Sequence, residues 1–378
     1  MSRRGGYDVA FYLPYATSIY APEAGVPPGG AETQIDLVAR ALARRGMRTA
    51  VIVSDAPGLP QAVEGVDIAR RPAKTASAGW RLVGKLIELC KIARGIASTR
   101  ADVFVQRTSS VETGFVGLVA KLKRASFIWS SASDADFEFR ILDPRRRNKL
   151  AYELGVRLAD AIVVQTEHQR QLCESTFGRT PWVIKSLGEP AQPRTETPGA
   201  FLWISRLVDY KRPMLYLDLA RAIPSAEFKM VGVPSHDDPG LAREVEQAAK
   251  AIDNLELLQP RPRPELLRLV DSAVAIVNTA EHEGMPNIFL EGWARGVPAL
   301  AFSNDPDGVI GAHGLGDCAF GSFDDFANQA RSIWSNRTDR SELSARCHRY
   351  IVENHGPDVV AAQWAKVVER ARGSRRRG

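Results

Sequence analysis

The sequence contains little cysteine, only four residues in 378, and they lie far apart: Cys90, Cys173, Cys318 and Cys347. None belongs to a Cys-x-x-Cys pair or to a Cys/His cluster with metal-ligand spacing, so neither a structural zinc site nor a disulfide scaffold is expected. The chain also lacks an apolar run approaching the roughly 20 residues that cross a bilayer. Residues 7–13 are too few for a secretory signal and are interrupted by Asp8, so a cytoplasmic protein is expected.

Negative charge is scarce in the first half of the chain. Residues 1–190 contain 27 Lys and Arg against 19 Asp and Glu, a net charge of +8, whereas residues 191–378 contain 23 against 25, a net charge of −2. An excess of this size is typical of a surface that meets an anionic partner: a phosphorylated substrate, an anionic polymer or a membrane. A basic surface that is merely solvated is the alternative.

Short strands alternate with helices along almost the whole chain. A strand at 8–15 is followed by a Pro/Gly-rich loop, by a helix with apolar residues at helical spacing that starts near Ala31, and by a strand at 49–54. This βαβ unit predicts a parallel sheet. Further elements predicted in the first half are strands at 103–106, 127–130, 161–165 and 182–185 and a helix at 80–97.

A proline-rich break at 189–199 has the composition of a linker. It predicts domains at 1–188 and 200–356, with a final helix at about 357–373 that packs back on the first domain and a basic tail at 374–378. The second half is predicted to hold strands at 201–205, 228–233, 255–259, 273–278 and 298–302 and helices at 213–222, 240–252, 264–270, 287–295, 322–335, 339–354 and 358–372. The predicted fold class is α/β, with two Rossmann-like doubly wound parallel-sheet domains facing a cleft that binds the ligand. Residues 314–319 formally fit G-x-G-x-x-A, but no βαβ unit surrounds them, so a loop is predicted there.

The segment at 281–301 is the richest in chemistry. It follows a predicted strand and opens a short helix near Asn287, whose unpaired N–H groups and positive dipole end favour a bound phosphate. Glu283 lies in the loop before this helix and Glu291 about one turn inside it. A carboxylate beside a polyol can accept hydrogen bonds from two hydroxyl groups. The alternative is that these acidic residues only complement the helix dipole.

Two cations occupy a second strand-end loop. Arg206 stands at the end of the first strand of the second half, and Lys211 follows five residues later, just before a helix. A guanidinium fork and an ammonium point charge together suit a diphosphate. Taken alone, the pair would be better explained as two exposed surface cations.

Together these residues resemble a known family. The pattern Glu283-x7-Glu291, the Arg206 and Lys211 pair about 80 residues earlier, and the opening Gly29-Gly30-Ala31-Glu32 are similar to the retaining family 4 (group 1) glycosyltransferases of GT-B fold. The resemblance covers nearly the whole chain. It implies transfer of a sugar, with retained anomeric configuration and without metal or cofactor, from a nucleoside diphosphate sugar to a polysaccharide, glycolipid or small-molecule acceptor.

The resemblance also implies residue roles. Arg206 and Lys211 would be catalytic residues that neutralise the diphosphate. Glu283, also counted as catalytic, would bind hydroxyl groups of the donor sugar, and Glu291 would hold the ribose. The remaining donor-binding residues would be Gly30, Gly284, Met285, Pro286, Asn287 and Ile288. The histidine that many relatives carry after the strand at 127–130 is missing, so Arg107 and Asp134 become candidate sugar or acceptor contacts. For Asp134 a helix N-cap is the alternative.

Other readings remain open. An epimerase of the same fold would need acid/base residues that we cannot place, a phosphorylase would need a longer chain, and a non-catalytic nucleotide-binding subunit would have lost one of the donor-site residues. Two D-x-D matches, at 134–136 and 305–307, are unremarkable in a chain with 44 acidic residues, so no metal is expected. The basic first half and the amphipathic helix at 80–97 suit an anionic membrane surface that carries a lipid-linked acceptor. No nucleic-acid partner is expected.

Overall fold

The structure is a computed structural model that describes residues 6–24, 29–72, 81–139, 146–192, 198–235 and 238–374. The chain forms two compact units: unit 1 comprises Met1–Leu187 and Pro357–Gly378, and unit 2 comprises Gly188–Gly356. Each unit contains one sheet with helices. The predicted α/β class with two parallel-sheet domains is therefore confirmed. Much of the predicted basic tail (375–378) and the centre of the predicted linker (193–197) lie outside the described residues.

Unit 1 contains an eight-stranded sheet of order β3-β4-β2-β1-β5-β6-β7-β8, parallel except for the β3–β4 pair. Its strands are β1 (Tyr7–Tyr12), β2 (Thr49–Ser54), β3 (Ala62–Val63), β4 (Val66–Arg71), β5 (Ala101–Arg107), β6 (Ser126–Ser130), β7 (Ala161–Val164) and β8 (Trp182–Val183). Its helices are α1 (Thr17–Tyr20), α2 (Gly30–Arg44), α3 (Arg81–Ser98), α4 (Glu112–Leu122), α5 (Ala135–Glu138), α6 (Arg146–Leu158), α7 (Glu167–Phe177) and α15 (Pro357–Ser374).

The sheet of unit 1 is covered on both faces. Val9 and Phe11 belong to one buried cluster and Ala10 and Tyr12 to another, because successive strand residues point to opposite faces. Strands buried on both sides are apolar throughout, which is why they appear as continuous hydrophobic runs in the sequence. The last helix of the chain joins this unit, where Trp364 meets Phe11 edge to face with ring centroids 6.2 Å apart.

Two local predictions in unit 1 need correction. The first strand ends at Tyr12 instead of residue 15, since Pro14 has no N–H to donate. The hairpin β3–β4 was missed, although its two-residue turn is characteristic: Glu64 and Gly65 both have positive φ, at 49° and 80°. Such turns match the twist of the strands that they join.

Unit 2 contains a six-stranded, fully parallel sheet of order β11-β10-β9-β12-β13-β14. Its strands are β9 (Ala200–Leu207), β10 (Phe228–Pro234), β11 (Leu255–Leu258), β12 (Ala273–Asn278), β13 (Ala299–Ala301) and β14 (Gly316–Cys318). Its helices are α8 (Pro213–Ala222), α9 (Pro239–Ala249), α10 (Arg263–Asp271), α11 (Asn287–Ala294), α12 (Val309–His313), α13 (Phe323–Ser335) and α14 (Ser341–Asn354). The prediction of a loop at 314–319 is wrong, because Gly316–Cys318 pairs with β13 as an edge strand.

In both units the order of strands reverses at one point. In unit 1 the reversal lies between β1 and β5, and in unit 2 between β9 and β12. Ligands of open α/β sheets bind at the carboxyl ends of the strands beside such a reversal. Among the described residues, no helix is both long and apolar enough to cross a membrane.

Candidate functional site

The loop after β9 presents both predicted cations of unit 2. Arg206 is exposed near the end of β9, and its Nη2 donates to the Tyr210 hydroxyl at 3.0 Å. A single 3₁₀ turn at Asp209–Lys211 follows, and Arg212 then adopts a left-handed conformation with φ 49° before Pro213 opens α8. Proline suits the first helical position because its missing N–H would have no partner there. The loop therefore turns tightly and keeps Lys211 beside the strand end.

The loop after β12 is fastened to this first loop. The Glu281 N–H donates to the Tyr210 carbonyl at 2.8 Å, and the Thr279 hydroxyl donates to the Lys211 carbonyl at 2.6 Å. The ammonium of Lys211 forms an ion pair with the Glu283 carboxylate. Two residues that lie 72 positions apart in the chain are thus neighbours at the reversal point of unit 2.

The peptide of Glu283 is held as well as its side chain. Asn304 Nδ2 donates to the Glu283 carbonyl at 2.7 Å, which fixes the loop from the side of β13. The neighbouring His282 is exposed, and its Nε2 lies 3.6 Å from a carboxylate oxygen of Glu281. The structure therefore holds Glu283 in place and leaves His282 at the surface.

Helix α11 begins at Asn287, as predicted. Pro286 occupies its N-cap position without a capping side chain, so the start of the helix is formed by backbone groups. Gly292 lets the helix lie close to β12, since a Cβ atom there would lie 2.7 Å from Cγ1 of Ile276. The predicted donor-binding stretch before and inside the helix is partly covered: Gly284 and Pro286 are buried, and Met285, Asn287 and Ile288 are half-buried.

Glu291 is paired with an arginine that the sequence did not point to. Arg263 Nη1 lies 2.7 Å from Glu291 Oε1. Burial raises the pKa of Glu291, and the charges of Arg263 and Arg295 act against that rise. No motif connects Arg263 with Glu291, because their proximity depends on how α10 and α11 lie side by side.

In unit 1 the candidate residues lie around the ends of β1 and β5. Gly30 is the first residue of α2 and is exposed, and Glu32 lies in the first turn of that helix. A Cβ atom on Gly29 would lie 2.7 Å from Oε2 of Glu32, so glycine at the helix start leaves room for that carboxylate. The charge of Glu32, in the first turn of α2, acts on Arg107 at the end of β5, so the start of α2 lies near that strand end.

Arg107 ends β5 and is only 8% exposed. Its Nε has no hydrogen-bond partner among the residues that the structure describes. Burial lowers its pKa to about 10, and the carboxylates of Asp136 and Glu32 oppose this change. The guanidinium therefore keeps its charge at neutral pH.

The two aspartates of the 134–136 motif have different surroundings. Asp134 occupies the N-cap position of α5, but its side chain makes no capping bond there; its Oδ1 accepts from Gln169 Nε2 at 3.0 Å. Asp136 is completely buried and accepts from the backbone N–H groups of Ser109, Ala132 and Ser133, at 2.9, 2.6 and 3.2 Å. In the sequence, Asp136 stands out only as part of a D-x-D metal motif. Within the described part of the chain, no three metal-ligating side chains form a cluster.

Part of the chain is similar in sequence to known proteins. Residues 29–187 match the family model of the glycosyl transferase 4-like domain. A glycosyltransferase 1 domain-containing protein 1 from Xenopus tropicalis is 25% identical over 118 residues, which are 31% of this chain. The matched stretch spans only 34% of the length of that relative.

Solved structures match over nearly the whole chain. Sucrose-phosphate synthase from Thermosynechococcus elongatus is similar with a TM-score of 0.75 and 15% identity, over 97% of this chain and 99% of that one. HepE from Anabaena, in complex with UDP and glucose, is similar with a TM-score of 0.74 and 14% identity, over 96% and 99%. These likenesses show the fold.

Proposed function

We propose that the protein is a retaining glycosyltransferase that takes a sugar from a nucleoside diphosphate sugar and needs no metal. The observation that carries the proposal is the grouping of Arg206, Lys211, Glu283 and the start of α11 at the reversal point of the unit 2 sheet. Two cations and a helix N-terminus at one strand edge suit a pyrophosphate. The solved neighbours include HepE with UDP and with UDP-glucose, so UDP is the first donor nucleotide to test.

The proposed reaction follows from charge. As the anomeric C–O bond breaks, positive charge develops on the sugar and negative charge on the leaving diphosphate. Arg206 and Lys211 stabilise that negative charge more strongly in the transition state than in the ground state. The acceptor oxygen attacks from the face that the diphosphate leaves, and a phosphate oxygen takes the acceptor proton. The products are the glycoside with retained configuration and the nucleoside diphosphate.

Donor binding would exchange partners within unit 2. In the free protein the ammonium of Lys211 is occupied by Glu283. A bound diphosphate would compete for Lys211, and Glu283 would then be free to accept hydrogen bonds from hydroxyl groups of the donor sugar. Each group thus keeps a partner in both states, which lowers the cost of desolvating the site.

Glu291 would hold the ribose. A carboxylate has two oxygens and can accept from both hydroxyl groups of a ribose diol. Arg263 contacts Oε1 and helps to keep the half-buried carboxylate ionised. Loss of that charge would leave Glu291 with fewer acceptor positions.

A thermal-shift comparison of UDP, GDP and ADP tests the donor site. A ligand that binds the native state adds about 2.7 kcal/mol to the free energy of unfolding at a concentration 100-fold above Kd, and the melting temperature rises as a result. We expect one nucleotide to do this in the unchanged protein and to lose the effect in the Lys211→Ala variant. The same shift in both proteins would contradict the assignment of Lys211, and no shift with any nucleotide would contradict the donor site.

Activity and location need separate tests. For the nucleotide that binds, the activity assay follows consumption of its nucleoside diphosphate sugars with glycan or glycolipid preparations as acceptors. Turnover would indicate an enzyme, and its absence a non-catalytic nucleotide-binding subunit.

We also propose that the protein is cytoplasmic and contacts an anionic membrane surface, because residues 1–190 carry a net charge of +8. Ile92 and Ile96 of α3 are buried in the core, so that helix would contribute its other positions. Equal co-sedimentation with anionic and neutral vesicles would contradict membrane contact.

A further inference from the structure

Five of the twelve large apolar side chains that are exposed among the described residues lie on two neighbouring helices of unit 1. They belong to α4, together with the residue just before it, and to α6: Val111, Leu118, Leu122, Leu150 and Leu154. Single apolar residues at a surface are ordinary, but a group of them marks a place where a protein meets a partner. These five residues define the α4–α6 face.

The two helices that carry the face touch through their backbones. A Cβ atom on Gly114 of α4 would lie 2.1 Å from the carbonyl oxygen of Ala151 in α6. A Cβ atom on Gly155 of α6 would lie 2.5 Å from the carbonyl carbon of Thr113. Only glycine lets two backbones approach so closely. Because no side chain separates the helices at these points, their outer sides form one continuous surface.

Helix α4 has an apolar side for the core and a second one for solvent. Leu118 and Leu122 lie one turn apart, and Val111 lies two turns before Leu118, so these three residues share one side of the helix. Val116 and Ala120 point the other way and belong to a buried cluster of unit 1. The exposed residues are therefore not part of the packing that holds α4 on the sheet.

Helix α6 is divided in the same way. Leu150 and Leu154 lie one turn apart and are exposed, whereas Tyr152 and Val156 are buried in the same cluster as the inner side of α4. A helix that only covers a sheet has a polar outer side. Two adjacent helices that both lack one indicate a surface that contacts an apolar medium.

The positive charge of the first half of the chain is concentrated on these helices. Residues 111–124 and 146–160 contain seven Lys and Arg against three Asp and Glu, a net charge of +4, which is half of the +8 of residues 1–190. Two of the three carboxylates are already paired, Glu153 with Lys149 at 3.9 Å and Asp160 with Lys121 at 2.6 Å. The face therefore combines aliphatic side chains with an excess of cations.

The chemistry of the face favours a lipid surface over other partners. A second copy of the same face would bring like charges together, which is unfavourable. An anionic polymer would meet the cations, among them the exposed Arg124 and Arg157, but would leave the leucines in water. Protein interfaces are anchored mainly by Trp, Tyr and Arg, with Leu and Val under-represented. An anionic bilayer offers acyl chains to the aliphatic side chains and headgroup charge to the cations.

We infer that the α4–α6 face docks on an anionic lipid bilayer, with its leucines at the upper ends of the acyl chains and its cations at the headgroups. This inference rests on the membrane contact in the proposed function and assigns that contact to a surface. The surface differs from the one that the sequence favours, the helix at 80–97, because Ile92 and Ile96 of α3 are buried in the core.

Co-sedimentation of the full-length protein with vesicles tests the face. The vesicles contain phosphatidylcholine alone or equal parts of phosphatidylcholine and phosphatidylglycerol, and the unchanged protein should bind the anionic ones more tightly. The triple variant Leu118→Gln, Leu122→Gln, Leu154→Gln should bind them roughly tenfold more weakly or less, because less apolar area enters the bilayer. Glutamine has nearly the helix propensity of leucine, so the melting temperature should stay the same.

A matched pair of single variants separates the face from exposed apolar residues in general. Leu122 is 75% exposed on the face, and Phe320 is 76% exposed in unit 2. Leu122→Gln should weaken binding to anionic vesicles about threefold, and Phe320→Gln should leave it unchanged. Equal weakening by both changes, or full binding by the triple variant, would overturn the inference, while membrane contact through another surface would still stand.

The cations and the other partners have their own outcomes. Arg124→Gln and Arg157→Gln should each weaken binding to anionic vesicles about fivefold and leave binding to neutral vesicles unchanged. A dimer in solution that the triple variant dissociates, measured by light scattering, would make the face an interface between copies and overturn the inference. No vesicle binding by the unchanged protein would contradict both the face and the membrane contact. The thermal shift by UDP reports unit 2 and tests the proposed transferase separately.

Discussion

Units 1 and 2 place their chemistry at the same topological position but leave it in opposite states. In each unit the candidate residues stand at the carboxyl ends of the strands where the strand order reverses. In unit 2 these charges are already paired, Lys211 with Glu283 and Arg263 with Glu291. In unit 1 the Nε of the buried Arg107 has no described partner.

The proposed donor of unit 2 would replace existing ion pairs, so its affinity should depend on pH and on the charges that remain. The comparison therefore predicts that mutations of the paired charges in unit 2 change catalysis and its pH dependence.

The largest effect is expected from Lys211→Ala. Removing a group that stabilises charge in the transition state costs about 10²- to 10³-fold in kcat. The measurement is the rate of sugar transfer at saturating donor. Lys229→Ala is the matched control, because Lys229 belongs to the same unit and its Nζ lies 3.6 Å from the carboxylate of Glu256 at the surface. Equal rates in the two variants would break the comparison, since the unit 2 pair would then be structural only.

A smaller effect, on pH dependence, is expected from Arg263→Gln. Burial raises the pKa of Glu291, the nearby Glu189 adds to the rise, and Arg263 and Arg295 oppose it. The ionised carboxylate is the form that accepts both ribose hydroxyls, so UDP affinity should fall as the pH drops through this pKa. Without Arg263 the pKa of Glu291 should rise further, so the fall in UDP affinity on acidification should begin at a higher pH.

The measurement is the Kd of UDP across a pH series. At neutral pH the variant should bind roughly two- to five-fold more weakly, since Arg263 is partly exposed and its charge is screened. Arg261→Gln is the control, because Arg261 lies just before α10 and its Nη1 lies 3.6 Å from the carboxylate of Glu265 at the surface, away from Glu291. Parallel pH profiles for the unchanged protein and Arg263→Gln would show that Arg263 does not tune Glu291.

The smallest effect, on the free energy of unfolding, is expected at the N-caps of two helices, one in each unit. In unit 1, Thr166 caps α7, and its hydroxyl accepts from the Gln169 N–H at 3.1 Å in a buried position. In unit 2, Ser322 caps α13, and its hydroxyl accepts from the Asp325 N–H at 3.3 Å near the surface. Thr166→Ala should cost about 1 kcal/mol of the free energy of unfolding and Ser322→Ala about half as much. Chemical denaturation measures both. A larger loss for Ser322→Ala would contradict the role of burial.

Much of the fold was predictable because local signals and the tertiary structure agree. The start of α11 at Asn287 follows a loop with Gly284 and Pro286, and α8 begins at Pro213 as predicted. Thr166 caps α7, a role that threonine commonly has at the start of a helix. The strand β14 was missed because Gly316–Cys318 is short, polar in part and held as a strand only by pairing with β13.

The site was predictable only in part, for a related reason. Lys211 and Glu283 stand out because each belongs to a recognisable local pattern at a strand end. Arg263 has no such pattern, and its contact with Glu291 arises where α10 and α11 meet. Asp136 appeared as half of a metal motif, but the fold surrounds it with three backbone N–H groups.

The amino-acid sequence by itself determined the alternation of strands and helices, the parallel sheets and the residue types at the strand ends, because these depend on periodicity and on neighbours along the chain. Only the tertiary structure decided which charges are paired and which are buried without a partner. Pairing depends on distances between residues far apart in sequence, and burial depends on everything that packs around a group. Lys211 and Arg107 look alike in the sequence as basic residues at strand ends; the folded chain gives one a carboxylate partner and leaves the Nε of the other unpaired among the described residues.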